Sequence, residues 1–529
     1  MSIEQPHRLV TTLEERFRSL ETEFHEAYWR SQIEASPEAD RRRAELELQL
    51  RRAKGDAEAL AAVERALAGD IHDPILHRQL EVLRLSLLGN QMQDSHRATL
   101  VELSTEVESD YASFRPEIDG RRFSENEIEE ILRSSDDDDR RRRAWEASKE
   151  IGGVVAERVR ELVRVRNEVA RDLGFADYYH MALDLQELSE EWLFATLDQL
   201  ERQTLAPFEA WKGDLDARVS ERFGVDVVYP WHYADPFFQQ LPPDGRVSLD
   251  GLLEGVDAKH VAEATFGAWG IDLSGVMGAS DLYPRERKAQ YAFCLDVDRG
   301  GDVRILANIV PGERWIEVML HESGHAAYEA AIDRKLPYLL RRPAHTFVTE
   351  AIAILAGRFV RNTRWLATFA GVEESELAEI RLSLESATAA QSVLFARWGL
   401  VMVHFERDLY SDPEGDLDAR WWELVERFQR VPPPPGRSAP DWAAKVHTAT
   451  APVYYHNYLL GELLASQLEA TCETECGGVV GNEAAGALLR ERIFSHGSSR
   501  RWDEVVEQAT DRALSATDFS AGVTRRRVG

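Results

Sequence analysis

Two histidines four residues apart, with a glutamate directly after the first, are the residues best suited to metal chemistry. His321 and His325 lie in a stretch from Trp315 to Ile332 that has the composition of a helix broken only by Gly324. Side chains four apart share one helical face, so both imidazoles can bind one ion. Glu322 projects beside the pair and can accept the proton of an attacking water molecule. This His-Glu-x-x-His pattern predicts a zinc metallopeptidase.

A catalytic zinc site needs a third protein ligand that leaves one position free for water. The segment from His345 to Asn362 predicts a second helix, and Glu350 falls in its first turns. An antiparallel neighbouring helix would turn Glu350 towards the histidines, so we predict His321, His325 and Glu350 as ligands of one Zn2+. His345 is the alternative third ligand, and we expect it near the helix start instead.

The predicted chemistry is hydrolysis of a peptide bond by an activated water molecule. Zinc lowers the pKa of water towards 7 and polarises the scissile carbonyl. Glu322 takes the water proton during the attack and passes it to the leaving amine. The oxyanion that forms needs further hydrogen-bond donors, because the ion alone leaves part of its charge uncompensated.

Candidate donors lie in the segment 441–468, towards the other end of the chain. Lys445 and His447 precede a predicted helix on which Tyr455 and Tyr458, three residues apart, share a face. A cation, an imidazole and two phenols can bind a peptide carboxylate and an oxyanion. The alternative for the tyrosines is a place in the core or in the lining of a cleft.

The remaining sequence indicates an all-α protein. Residues 12–114 have helical periodicity, and 134–143 place acids before arginines as at the start of a solvated helix. Proline-rich stretches at 241–245 and 431–440 predict loops. Two extended runs within 290–310 flank a glycine-containing turn. We therefore expect a mostly helical chain with one small antiparallel sheet next to the metal-binding helix.

The totals favour an intracellular protein that avoids polyanions. The chain has 529 residues and a formal net charge of -30, which repels nucleic-acid phosphates and anionic lipid headgroups. Its three cysteines do not form a disulfide framework and indicate a reducing compartment. No signal peptide or membrane-spanning run is visible in the sequence. We expect a cytoplasmic location, short peptides as partners, and neither nucleic acid nor membrane; the oligomeric state is open.

Beyond the metal motif, the chain resembles the angiotensin-converting-enzyme-like peptidyl-dipeptidases and, more distantly, the thimet-type oligopeptidases. The resemblance runs from about residue 12 to residue 519, in the family's order, through the segments 164–181, 315–332, the Glu350 helix, 445–460 and 494–519. It implies one zinc-peptidase domain over residues 1–529, an almost wholly helical ellipsoid of two lobes. A deep central cleft would admit short flexible peptides.

The resemblance also implies a role for each matching residue. The implied set is Ala292 on a strand that pairs with the substrate, the zinc ligands His321, His325 and Glu350, the base Glu322, the carboxylate-binding Lys445 and Tyr455, and His447 and Tyr458 at the tetrahedral intermediate. Two positions depart from the family's pattern. Tyr291 stands where the animal enzymes place a substrate-contacting histidine, and Ile354 stands where an acidic partner of a zinc histidine is expected.

The alignment of the Lys445 segment requires one extra residue before the two phenols. An ungapped match would choose Tyr454 and Asn457 in place of Tyr455 and Tyr458. The gapped match retains both phenols, and we prefer it for that reason.

The predicted function is hydrolysis of short peptides near a free C-terminus. A broader oligopeptidase or carboxypeptidase of the same clan is the first alternative. A non-catalytic peptide-binding relative is the second, although such a protein has no chemical need for Glu322.

Overall fold

A computed structural model describes residues 4–242 and 247–525 of the chain, and helices dominate both ranges. In the first half of the chain the elements are α1 (Glu4–Ile33), α2 (Pro37–Lys54), α3 (Ala57–Leu67), α4 (Pro74–Leu88), α5 (Asp94–Ser113), β1 (Glu117–Ile118), β2 (Arg121–Arg122), α6 (Glu125–Ser134), α7 (Asp138–Asp172), α8 (Tyr178–Leu185), α9 (Glu190–Phe223) and α10 (Ala258–Gly267). The elements that follow are α11 (Ser274–Ala279), β3 (Phe293–Asp296), β4 (Val303–Leu306), α12 (Glu313–Ala331), α13 (Thr346–Gly357), α14 (Thr363–Phe369), α15 (Glu374–Ser411), α16 (Leu417–Gln429), α17 (His447–Thr450), α18 (His456–Cys476), α19 (Glu483–Arg492), α20 (Trp502–Thr510) and α21 (Thr517–Arg525). The predicted all-α class is confirmed.

The chain divides into two compact units, each assembled from three separate stretches. Unit 1 consists of Met1–Gln91, Ser248–Arg381 and Leu460–Asp518. Unit 2 consists of Met92–Val247, Leu382–Leu459 and Phe519–Gly529. The predicted metal ligands belong to unit 1, and Lys445, His447, Tyr455 and Tyr458 belong to unit 2. Among the described residues, no helix is long and apolar enough to cross a membrane.

Local capping explains where several helices begin. The side chain of Ser36 accepts a hydrogen bond from the main chain of α2, and Asp73 does the same for α4. Asp137 caps α7, as the run of acids before arginines predicted. The prediction that the four arginines of that run are solvated is wrong for Arg141. Its guanidinium is buried because it donates to main-chain carbonyls, including that of Trp231 at 2.9 Å.

Within residues 4–242 and 247–525, two small antiparallel hairpins interrupt the helices, where the sequence analysis predicted one. Strands β3 and β4 pair as expected just before α12, with Phe293 opposite Leu306. The pair formed by β1 and β2 was missed, although Asp119 and Gly120 form its two-residue turn with positive φ angles. An Asp-Gly turn is a strong hairpin signal, but strands of two residues carry no alternation to accompany it. Pro243 to Gly245, predicted as part of a loop, lie outside the described residues.

A buried lysine fixes the chain around the β3–β4 hairpin. The side chain of Lys288 is fully buried, and its ammonium donates to a carboxylate oxygen of Asp281 at 2.8 Å. It also donates to the main-chain carbonyls of Asp281, Tyr283 and Ala307, at 2.5–2.9 Å. One cation thus joins the segment before β3 to the end of β4, and its buried charge is compensated by four oxygens.

Replacing Lys288 with methionine keeps the length of the side chain but removes the donor shared by these oxygens. We expect the free energy of unfolding to fall by about 3 kcal/mol, because the three main-chain carbonyls lose their buried donor and Asp281 is left with Arg285 as its cationic partner. Urea denaturation measures the change. At the exposed Lys335 the same substitution should change the free energy by no more than about 0.5 kcal/mol. Equal small changes in both variants would show that the Lys288 contacts stabilise little.

Candidate metal centre

The two helices of the predicted site begin with defined caps. The main-chain N–H of Glu313, at the start of α12, donates to Asp250 at 2.9 Å. His345 precedes α13 and accepts the N–H of Phe347 through its own Nδ1 at 3.1 Å. The His345 ring is thereby engaged at the helix start, where the sequence analysis placed it. Among the described residues, the group of side chains that could hold a metal ion contains Glu350 instead.

His321, His325 and Glu350 lie together in unit 1. One ligand atom from each residue can be chosen so that all three lie within 4.8 Å of one another. The Nε2 atoms of His321 and His325 lie 3.8 and 4.0 Å from Oε2 of Glu350. The side chain of His321 is 32% exposed, so solvent reaches the cluster.

These three side chains suit a zinc ion in both chemistry and spacing. Ligands bound to tetrahedral zinc at about 2.0–2.1 Å lie roughly 3.4 Å from each other. The observed separations are slightly longer, and rotation of the side chains can close the difference. Burial lowers the pKa of His321 to about 4 and that of His325 to about 3. The imidazoles are therefore neutral at pH 7, which is the form that binds metal ions.

Glu322 is buried beside this cluster. Burial raises the pKa of Glu322 to about 8, and the charge of Glu350 adds to the rise. The main-chain N–H of Cys294 donates to the Glu322 carboxylate and opposes that shift. A cation held by the cluster would favour the carboxylate form by its charge. A main-chain group at the edge of a strand thus contacts the Glu322 carboxylate.

The free edge of strand β3 explains this contact. Val297 donates its N–H to Asp302, and hydrogen-bonded pairs alternate along an antiparallel ladder. Cys294 and Ile305 therefore form a non-hydrogen-bonded pair. The main-chain N–H and carbonyl groups of Cys294 point away from β4, and those of Ile305 point away from β3. The carbonyl of Ile305 confirms the pattern, since it accepts the N–H of Asp281 on the far side of β4. The edge of β3 that includes Cys294 thus faces Glu322.

Gly324 allows α12 and α13 to approach closely. A Cβ atom at this position would lie 2.7 Å from Cα of Ala353 and 3.0 Å from the carbonyl oxygen of Ile352. Real Cβ atoms do not approach a main chain so closely. Gly324, which in the sequence only interrupts a helical pattern, is therefore the point of closest contact between α12 and α13.

Lys445, His447, Tyr455 and Tyr458 form a cluster in unit 2. The rings of His447 and Tyr455 lie 5.5 Å apart, and those of Tyr455 and Tyr458 lie 5.4 Å apart. Tyr455 accepts a hydrogen bond from Trp398 at 2.7 Å and precedes α18, so the prediction that it lies on the helix is wrong. The helix begins one residue later, at His456, because the chain is not helical at Val453, where φ is positive.

Charges in the unit 2 cluster follow from burial. Burial lowers the pKa of His447 to about 4, and the charge of Lys445 adds to the effect. The ring is therefore neutral at pH 7 and can still donate one N–H. Burial also lowers the pKa of Lys445, while Asp235 opposes the shift. Among the described residues, the enclosed Nδ1 of His447 has no hydrogen-bond partner.

The ungapped alternative for this segment named Tyr454 and Asn457. Asn457 is fully buried, and its amide donates to Gln186 and to the carbonyl of Tyr454, both at 3.1 Å. The Tyr458 ring lies 5.3 Å from that of Tyr454 and is only partly buried. The buried amide is thus committed to internal contacts, whereas a phenol at 458 is accessible.

Sequence reasoning missed Gln239 in this cluster. Its Oε1 accepts a hydrogen bond from the ammonium of Lys445 at 3.1 Å. The main-chain N–H of Gln239 is itself held by the buried carboxylate of Asp235, at 3.0 Å. No local signal identifies Gln239, since about 200 residues of sequence separate it from Lys445.

Comparison with known proteins gives the family. A family model described as angiotensin-converting enzyme matches residues 2–210 and 289–520, which is well over half of the chain. The chain belongs to the angiotensin-converting enzyme family. The matched ranges contain the ligand cluster, Glu322 and the Lys445 segment.

Individual relatives in this family are distant in sequence. An angiotensin-converting enzyme-related protein of Drosophila melanogaster is 23% identical over 239 residues, covering 42% of this chain and 38% of its own length. An angiotensin-converting enzyme of Theromyzon tessulatum is 25% identical over 225 residues, covering 40% and 36%. That of Bos taurus is 23% identical over 421 residues, covering 72% and 32%. The matches thus span less than two fifths of each relative's own length.

One departure from the pattern that the resemblance implies concerns the hydrogen-bond partners of His321 and His325. Ile354 stands where the resemblance expects an acidic partner. Nδ1 of His325 lies 2.7 Å from Oγ1 of Thr349 instead. The main-chain carbonyl of Ala353 accepts a hydrogen bond from His321. Uncharged groups of α13 therefore hold both rings.

Gly324→Ala tests the close approach of the two helices. The added Cβ meets main-chain atoms that cannot rotate away, so we expect the free energy of unfolding to fall by about 1–3 kcal/mol. Gly153→Ala is the matched control, because an added Cβ inside α7 meets nothing within 4 Å. That control should be neutral or stabilising by up to about 1 kcal/mol. Thermal or urea unfolding measures both. A gain in stability from both substitutions would contradict the proposed contact.

Proposed function

We propose that this chain is a zinc-dependent peptidase that hydrolyses short peptides near a free C-terminus. The observation that carries the proposal is the cluster of His321, His325 and Glu350, with ligand atoms within 4.8 Å and the buried Glu322 alongside. Membership of the angiotensin-converting enzyme family supports the same class of reaction. A cytoplasmic location and the lack of nucleic-acid partners stay predictions from composition.

The reaction needs a strong electrophile and a base in one place. A zinc ion held by the cluster would polarise the scissile carbonyl and make water a stronger acid. Glu322 accepts the proton of the attacking water and then delivers it to the leaving amine. Its hydrogen bond from Cys294 keeps the carboxylate oriented through both transfers. His321 and His325 remain neutral ligands throughout.

The edge of β3 supplies a binding mode for the substrate main chain. In the described structure this edge is not paired with another strand, and it faces Glu322. Ala292, two residues before Cys294, continues the same edge. An extended peptide that adds to this edge gains main-chain hydrogen bonds irrespective of its side chains. This mode favours short flexible peptides over folded proteins.

The family resemblance supplies roles for the unit 2 cluster. We propose that His447 and Tyr458 donate hydrogen bonds to the oxyanion of the tetrahedral intermediate. The neutral state of His447 supports this, because a neutral imidazole still has one N–H to donate. We propose that Lys445 and Tyr455 bind the C-terminal carboxylate. Gln239, which contacts the Lys445 ammonium, extends that group of polar side chains.

Glu322→Gln tests the assigned base. The amide cannot accept the water proton, so we expect turnover of a short-peptide mixture to fall by about 10²–10⁴-fold. Zinc content should stay at that of the native protein, because the three ligands are unchanged. Mass spectrometry of the digests and metal analysis measure the two quantities.

Glu376→Gln, at an exposed position of α15, is the matched control and should retain native turnover. Cleavage by the Glu322→Gln variant at a rate comparable to that of the native protein would refute the assignment of Glu322 as the base. A native protein that holds zinc but cleaves no peptide in a diverse mixture would favour the non-catalytic peptide-binding alternative.

Paired peptides with free and amidated C-termini test the carboxylate site. We expect amidation to lower kcat/KM at least about 30-fold, since losing one partner of a desolvated ion pair costs roughly 2 kcal/mol or more. The Lys445→Met variant should cleave both peptides at nearly the rate at which the native protein cleaves the amidated peptide. Lys335→Met, at an exposed lysine, should keep the native preference. Equal turnover of the two peptides by the native protein would reject this site and favour a broader oligopeptidase.

A further inference from the structure

The hydrogen-bond partners of the metal histidines follow the geometry of two antiparallel helices. His321 and His325 are one turn apart on α12. Their partners Ala353 and Thr349 are one turn apart on α13, in the reverse order. Positions four apart share a helical face, so one face of α13 supplies both partners. Gly324, between the histidines, allows the separation to be short enough for these contacts.

The direction of the hydrogen bond at His325 follows from the position of its ring. Nε2 faces Glu350, 4.0 Å from Oε2, and must keep its lone pair if it is to bind an ion. The proton of the neutral ring then lies on Nδ1. Nδ1 therefore donates to the hydroxyl oxygen of Thr349, 2.7 Å away. The hydroxyl oxygen accepts this proton and so holds the ring in the orientation that turns Nε2 towards Glu350.

Thr349 stands out in its own helix. Apart from Thr349 and Glu350, the stretch from Phe347 to Gly357 is entirely apolar, and most of it is buried. Thr349 itself is partly buried, and a hydroxyl largely withdrawn from water favours a hydrogen-bond partner. The contact with His325 provides that partner. The position where the resemblance expects a carboxylate is occupied by Ile354, which packs near Gly461.

We propose that Thr349 is a positioning residue that holds the ring of His325 in the orientation needed for metal binding. Thr349 and the carbonyl of Ala353 are uncharged hydrogen-bond partners of His325 and His321. They stand in place of the acidic partner that the resemblance expects. This inference rests on the zinc site of the proposed function. Partners of this kind typically change metal affinity about 10–100-fold when they are removed.

The test compares three variants of the full chain, with Zn2+ alone as the probe. Thr349→Val keeps the shape of the side chain and removes the hydroxyl. We expect it to weaken zinc binding about 10–100-fold in competition with a chelator of known affinity. Thr349→Ser retains the hydroxyl and should bind within about threefold of the native protein. Thr346→Val, at an exposed threonine of the same helix, should also bind as the native protein does.

Circular dichroism and thermal unfolding of the metal-free variants show whether each has folded, and Thr349→Ala replaces the valine variant if that one has not. If Thr349 had a purely structural role, its substitution would lower the stability of the metal-free protein, and the Thr349→Ser variant would not restore zinc affinity. Native zinc affinity in folded valine or alanine variants would overturn the inference. Failure of the native protein to bind zinc would overturn both proposals. Hydroxyl-dependent zinc binding in a protein that cleaves no peptide would support the inference and overturn only the proposed function.

Discussion

The metal centre depends on how closely α12 and α13 approach each other at Gly324. Because a Cβ there would lie 2.7 Å from Ala353, glycine is the residue that permits the observed distance. That distance brings Glu350 to the two histidines and lets α13 reach their outward ring nitrogens. Any added separation would lengthen all of these contacts together, since they are carried by the same pair of rigid helices. The ligand set and its hydrogen-bond partners are thus one packing feature.

Burial at this centre makes charge balance the second constraint. Glu322 and Glu350 are both 8% exposed, and the charge of Glu350 adds to the burial that raises the pKa of Glu322. A divalent cation removes that conflict, because it favours the ionised form of each. The histidines contribute no charge when neutral. The site therefore has the chemistry of a cation-binding centre even in its metal-free form.

Strand β3 connects this centre to the rest of unit 1. Its alternating side chains place Phe293 against the rings of Tyr28 and Trp29, at 5.5 and 6.0 Å. Its ladder to β4 uses one edge, and the other edge donates to Glu322. Lys288 and the amide of Asn308, which donates to the carbonyl of Ala289 at 2.9 Å, hold the segments next to the two strands. The orientation of the base is therefore linked to packing far from the metal ligands.

The sequence by itself determined the helical class and the β3–β4 hairpin, and it supplied the prediction that His321, His325 and Glu350 bind one ion. These follow from periodicity and spacing, which are local properties of the chain. Only the tertiary structure showed that Thr349, the carbonyl of Ala353 and the N–H of Cys294 contact the side chains of the predicted site. Main-chain groups have no residue identity to read, and a threonine acquires a role only from what packs against it. The contact of Gln239 with Lys445 was likewise visible only in the tertiary structure. Long-range contacts depend on the packing of whole helices, and no local pattern in a single sequence encodes that packing.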